Sequence, residues 1–143
     1  MTPRMPHPYN PADAETFIEG CVKGEHEGYI YAITLADTGH LIGFCGLEKR
    51  ERSGGFEIGF WLGEDYWGSG YATEAAQSAL DFAFDSLRLN EIVAYTTVNN
   101  TPSRNVMHKL GMTRDPRDDF GHPRIPTHHP LHPNVVYRVR SPR

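Results

Sequence analysis

The sequence predicts an α/β domain of the α+β kind, a mixed sheet with antiparallel N-terminal strands and a central parallel β-α-β unit. Three observations carry this expectation. Apolar residues alternate in short runs at 29–34, 41–47 and 56–62, separated by turn residues. The third run leads through Gly68-Ser69-Gly70 into a segment with an alanine-rich stripe at helical spacing. A fourth strand-like run, 91–98, follows it, and strand-helix-strand crossovers between parallel strands are right-handed almost without exception.

The elements follow in order. Asn10 and Pro11 form a helix start, with Ala14, Phe17, Ile18, Cys21 and Val22 on one face and an end near Gly24. Residues 29–34 and 41–47 pair as a hairpin around Ala36-Asp37-Thr38-Gly39. A second reversal, ERSGG, brings in the third strand, where Phe56, Ile58, Phe60 and Leu62 alternate with Glu57, Gly59 and Trp61. Ala72, Ala75, Ala76, Ala79, Leu80, Ala83, Phe84 and Leu87 then mark the inner stripe of a long helix, which Asn90 ends in a left-handed conformation. Asn100 caps a second helix that carries Pro102 in its first turn and closes at Gly111. The proline-rich stretch 121–134 reads as a loop, and Val135, Tyr137 and Val139 as a final strand.

At 143 residues the chain fits one domain, 1–143. Apolar residues at 38% and charged residues at 22% exclude a disordered chain. A net charge of −4 supplies no basic field for nucleic acid. No apolar run is long enough for a signal peptide or a membrane span, so no membrane partner is expected. Cys21 and Cys45 have no metal-type spacing and read as buried reduced thiols, consistent with a cytoplasmic location.

The glycine turn between strand and helix is the chemical signature. Glycines let backbone N–H groups approach a phosphate, and the helix N-terminus adds partial positive charge. Tyr71 and Ala72 stand where a Walker A loop needs Lys and Ser or Thr, which excludes a nucleotide triphosphatase. Thr73, the polar Thr97-Val98-Asn99 and the antiparallel strands exclude a dinucleotide-binding sheet.

Four blocks in order match a third family of glycine turns: EIGFWL at 57–62, YWGSGYATEA at 66–75, NTPSR at 100–104 and KLGM at 109–112. On these the chain resembles the GNAT superfamily of acetyl-CoA-dependent N-acetyltransferases, in its RimJ/RimL-like branch, over residues 5–140. The resemblance implies the GNAT fold, acetyl-CoA as cosubstrate without a metal, and a primary amine acceptor, either a protein N-terminus or a small molecule. Similar members carry a first strand and helix ahead of the segment matching MTPRMPHPY. Without them strand 29–34 becomes a sheet edge, open to a partner such as a second copy in a homodimer. The other reading is a shortened form with reduced stability or activity, or a module that binds acetyl-CoA without turnover.

The resemblance also implies roles. Backbone N–H groups of Gly68, Ser69, Gly70, Tyr71, Ala72 and Thr73 hold a pyrophosphate, and Trp61 and Leu62 pair by backbone with the pantetheine. Asn100 approaches the pantetheine, acts as an N-cap, or does both. Glu57 is the first choice as general base, its alternative being a solvated strand carboxylate. Met107 stands where many members place a tyrosine that protonates the thiolate. Ser103 is the nearest replacement, its alternative a first-turn hydroxyl satisfying backbone. Tyr95 is a reserve acid whose hydroxyl reaches the cleft between splayed strands. Tyr66, Trp67 and Tyr71 flank the cofactor or seal the core. His122, His128, His129 and His132, with His108, Asp118 and Asp119 nearby, fit no zinc spacing and read as a solvated or substrate-facing loop in which a histidine could replace Glu57 as base.

Overall fold

The computed structural model describes residues 28–50 and 55–142, together with Glu15 and Glu19. Those two glutamates are helical and exposed. The rest of the expected first helix, Cys21 included, lies outside the described residues, as do residues 51–54 of the second reversal.

Seven strands form one sheet: β1 (Gly28–Thr34), β2 (Leu41–Lys49), β3 (Phe56–Leu62), β4 (Glu91–Thr97), β5 (Thr113–Arg114), β6 (Phe120–Gly121) and β7 (Pro133–Arg140). Their spatial order is β1-β2-β3-β4-β7-β5, with β6 also on β7. Among the described residues only the β3–β4 pair is parallel. Helix α1 (Tyr71–Asp85) connects that pair, and α2 (Thr101–Lys109) follows β4. The predicted fold class therefore holds. So does the first hairpin, closed by hydrogen bonds between Leu35 and His40 and from Gly39 N–H to Leu35 C=O, with Gly39 at φ 72°. Among the described residues β1 pairs only with β2.

One face of the sheet receives both helices. Cys45 and Leu47 of β2, Ile58 of β3, Ile92 and Ala94 of β4, and Val135 and Tyr137 of β7 meet Ala76, Ala79, Leu80 and Ala83 of α1 and Met107 of α2. The alanine stripe brings the α1 backbone close to the strands, and bulk comes from the sheet and from Leu80 and Phe84. Burial pushes the Cys45 thiol up to about 11, so it is an inert core group. The opposite face carries Glu48, Glu57, Val93 and Arg138 in one cross-strand row. Phe44 and Trp61 stack beside it at 6.3 Å between ring centroids.

The chain departs from the expected course at the end of α1. The helix stops at Asp85, and the left-handed residue is Arg88, φ 57°, in place of Asn90. Leu87 and Leu89 pack against the core, with Leu87 N–H on Phe82 C=O and Leu89 N–H on Ala83 C=O, so the turn comes early. Asn90 is drawn into the sheet, where its carbonyl accepts from Ser141 N–H. Strand β7 starts at Pro133, inside the expected loop. The two-residue strands β5 and β6 are too short for periodicity to reveal.

Arg88 pays for a conformation that a β-carbon disfavours by roughly 1–2 kcal/mol. Arg88→Gly is expected to raise unfolding stability by about 0.5–1 kcal/mol after glycine's greater unfolded-state entropy is counted, as read from urea unfolding midpoints.

Candidate functional site

The site is generated by strand divergence. The β3–β4 ladder contains only Phe56–Ile92 and Glu57–Val93, and beyond Glu57 the two strands separate. Both helices start after the C-terminal ends of these parallel strands, so the N-termini of α1 and α2 stand at the open end of the cleft. Ligands of open α/β sheets bind at such points.

Hydrogen-bond phase decides which backbone groups face the cleft. Gly63 N–H donates to Ile42 C=O, and Arg50 N–H to Gly55 C=O, both in the register of the β2–β3 ladder. Antiparallel partners alternate between bonded and non-bonded pairs. Glu57, Gly59 and Trp61 therefore turn their main chain to β2, whereas Ile58, Phe60 and Leu62 turn theirs toward β4. On β4, Val98 N–H bonds Pro133 C=O and Ser141 N–H bonds Asn90 C=O, which turns the main chain of Tyr95 and Thr97 to the cleft. The main chain of Trp61, which the sequence reading pairs with the pantetheine together with Leu62, faces β2. Phe60, which the sequence reading does not single out, turns its main chain to the cleft. Its signal, the parity of the ladder, depends on a strand partner that the sequence alone does not specify.

The glycine turn has the form a phosphate needs. Gly68 and Gly70 adopt φ 78° and 83°, and a Cβ built on either meets nothing within 4 Å. Gly70 is the N-cap of α1, and no side chain caps that end. The first N–H groups of α1, at Tyr71, Ala72 and Thr73, thus face outward with the helix dipole behind them. A short 3-10 turn, Glu64–Tyr66, joins β3 to this loop.

At the second helix, Asn100 Oδ1 accepts from Ser103 N–H at 3.2 Å. The N-cap role is present, and the Asn100 amide NH2 is left to donate elsewhere. Arg104 Nε donates to Tyr137 Oη at 3.1 Å and Nη1 donates to Val98 C=O at 3.0 Å. Arginine can only donate, so the Tyr137 oxygen accepts from Arg104, and the same hydroxyl is hydrogen-bonded to His108 Nε2 at 3.3 Å. This chain of bonds pins the start of α2 to the corner after β4. Met107, 2% exposed, is a core residue.

Glu57 is half-buried at the closed end of the cleft, opposite Val93. Tyr95 lies on the same face of the sheet, with its ring edge-on to Phe120 at 5.6 Å. Tyr66 touches both Tyr71, at 6.5 Å, and His40, at 6.1 Å. Trp67 is 58% exposed and does not seal the core.

Three of the four loop histidines bond nearby backbone. His122 Nδ1 accepts from Arg124 N–H and His129 Nδ1 from Leu131 N–H, while His132 Nδ1 donates to Ile125 C=O at 2.7 Å. His132 also covers Gly121, where a Cβ would fall 2.0 Å from its Nε2. Among the described residues no three His, Cys, Asp or Glu side chains converge. No helix there is long and apolar enough to cross a membrane.

Comparison with known proteins agrees with this geometry. The family pattern of the acetyltransferase (GNAT) domain matches residues 1–113. An uncharacterized N-acetyltransferase, p20, of Bacillus licheniformis is 37% identical over 86 residues, 59% of this chain and 48% of that protein. The chain spans about half the length of the curated relatives it matches. A GNAT-family acetyltransferase structure from Bacillus anthracis superposes with a TM-score of 0.78 at 27% identity, covering 92% of this chain and 75% of that one. A ribosomal-protein-S5-alanine acetyltransferase from Vibrio fischeri shares the fold at 16% identity and a TM-score of 0.77, covering 99% and 78%.

The wall behind Tyr95 is braced by ion pairs. Arg114 hydrogen-bonds Asp119, beside Phe120, and holds that carboxyl below the usual carboxylate range; Arg117 does the same to Asp115. A pKa depressed in the folded state gives stability that is present above the ordinary value and lost as pH falls through the depressed one. Stability should therefore decline below about pH 4, by a small amount because the groups are near the surface. Asp119→Asn is expected to flatten part of that decline when urea midpoints are followed against pH.

Proposed function

This chain belongs to the GNAT acetyltransferase family, and on that premise we propose that it transfers an acetyl group from acetyl-CoA to a primary amine in a ternary complex. The observation that carries the reading is the splayed parallel pair with the glycine turn and both helix N-termini at its open end. Empty space over Gly68 and Gly70 and the uncapped N-terminus of α1 fit a pyrophosphate, for which the backbone N–H groups of residues 68–73 are the donors. The cleft-facing main chain of Phe60 and the N–H of Leu62 suit the amides of an extended arm. The Asn100 NH2 is a further donor toward it.

Acetyl-CoA supplies an activated acyl carbon as its thioester. The protein orients that carbon through the β3 wall and moves two protons. Glu57 removes one from the acceptor ammonium, directly or through water, freeing the lone pair that attacks the thioester carbon. The second leaves the nitrogen once the C–N bond has formed and ends on the sulfur as the C–S bond breaks; Ser103, partly exposed in the first turn of α2, is the proposed relay, giving its proton to the sulfur and regaining one from the nitrogen. Tyr95 is the second donor candidate. The acceptor is a protein N-terminus or a small-molecule amine. A second reading, acetyl-CoA binding without turnover, draws on Met107, which places no ionisable group at its position in the core.

Acetyl-CoA should give a saturable rise in melting temperature that dephosphorylated CoA and ATP give more weakly or not at all. Gly70→Val should cut acetyl-CoA affinity at least tenfold, because its Cβ enters the space over the loop. A cooperatively melting protein with no acetyl-CoA shift would defeat the reading. Glu57→Gln is expected to lower kcat by roughly 100-fold, with KM for acetyl-CoA near that of the parent. Binding without acetylation across an amine panel would favour the second reading.

A further inference from the structure

Trp67 stands out among the aromatic residues of the site. The residue is 58% exposed, the highest value among the exposed large apolar residues described, yet its one polar side-chain atom is fixed. Indole Nε1 donates to Leu62 C=O at 2.9 Å, and Trp67 backbone N–H donates to Glu64 C=O at 3.1 Å. The phase of the β2–β3 ladder makes Leu62 C=O the last β3 carbonyl directed at the cleft. Trp67 immediately precedes Gly68, the first residue of the turn. A single side-chain hydrogen bond therefore joins the end of the cleft wall to the start of the anion-binding loop.

The end of β3 does not need this bond for its own pairing, since Gly63 N–H on Ile42 C=O already holds it to β2. An exposed indole contributes little to the core. What the bond adds is a side-chain tie between two backbone surfaces otherwise joined through the short 3-10 turn Glu64–Tyr66. It also uses one lone pair of Leu62 C=O, while the Leu62 N–H, on the same side of the strand, is a donor for a ligand acceptor.

We propose that Trp67 is a positioning residue whose indole N–H straps the glycine loop to β3, keeping the phosphate end and the amide wall of one extended ligand in register. The clause naming that ligand rests on the acetyl-CoA reading above. The strap itself rests only on the Trp67–Leu62 bond and the ladder phase.

Two replacements test it: Trp67→Phe, which keeps an apolar ring without the N–H, and benzothienylalanine at position 67, which keeps the shape and replaces N–H by sulfur. In the absence of ligand, both should speed amide hydrogen exchange across residues 62–70 several-fold while β2 and the centre of α1 exchange as in the parent. With acetyl-CoA, KM should rise about fivefold, the loss of one neutral hydrogen bond, with kcat within about twofold of the parent. Unchanged exchange in both replacements would overturn the strap. So would a Trp67→Phe defect absent from the isosteric replacement, because ring packing would then be the cause. Faster exchange with unaltered KM would overturn the registering role. If the parent protein binds no acetyl-CoA, the functional reading fails, and the exchange comparison still decides the strap.

Discussion

The separation of β3 from β4 after Glu57 and Val93 is the constraint on which the rest of the site depends. A parallel pair inside a sheet normally continues its ladder, because each unpaired peptide group away from water carries a penalty. Here the ladder stops after two residue pairs, and the strands continue as neighbours of β2 and β7 alone. Each strand stays anchored on its outer side while its inner backbone groups turn to open space. The core does not suffer, because α1 and α2 cover the helix-side residues of both strands. The result is a backbone-lined slot held open by packing on both sides, with helix N-termini at its mouth.

Because the cleft is lined by main chain, side chains around it are engaged in other work. Phe60 sends its ring toward the helix face and is partly buried there, while its peptide groups face the slot. Asn100 caps α2 through its oxygen and keeps its NH2. Arg104, Tyr137 and His108 form a line of hydrogen bonds that keeps the corner after β4 in place. Three histidines of the loop before β7 act in the same way, as partners for nearby turn peptides.

Much of this was legible in the sequence because it rests on local chemistry. Alternation marked β2 and β3, the alanine stripe marked α1, Asn100 and Gly111 marked the ends of α2, and the pair of glycines marked the loop. What escaped has a common cause, dependence on tertiary partners. Asn90 looked like a helix end until the sheet claimed its carbonyl, and Leu87 with Leu89 forced the turn onto Arg88. Strands β5 and β6 exist only through β7. The choice between Phe60 and Trp61 lay in ladder parity, which Gly63 and Arg50 fix by bonding across to other residues. The sequence reads the loop histidines as solvated or substrate-facing, whereas the folded loop uses His122, His129 and His132 as partners for its own turn peptides.

Ladder parity also sets how this chain can change over evolutionary time. A site written in side chains drifts by substitution, whereas one written in alternating peptide groups tolerates most substitutions and is vulnerable to changes in length. A slip of β3 by one residue against β2 would exchange the inward and outward peptide groups and turn Ile58 and Phe60 out of the core together. A slip by two would restore both. Viable length changes in the connection between β2 and β3 should therefore be absorbed within the loop itself, leaving the bonded pairs Arg50–Gly55 and Ile42–Gly63 as fixed bookends of the strand.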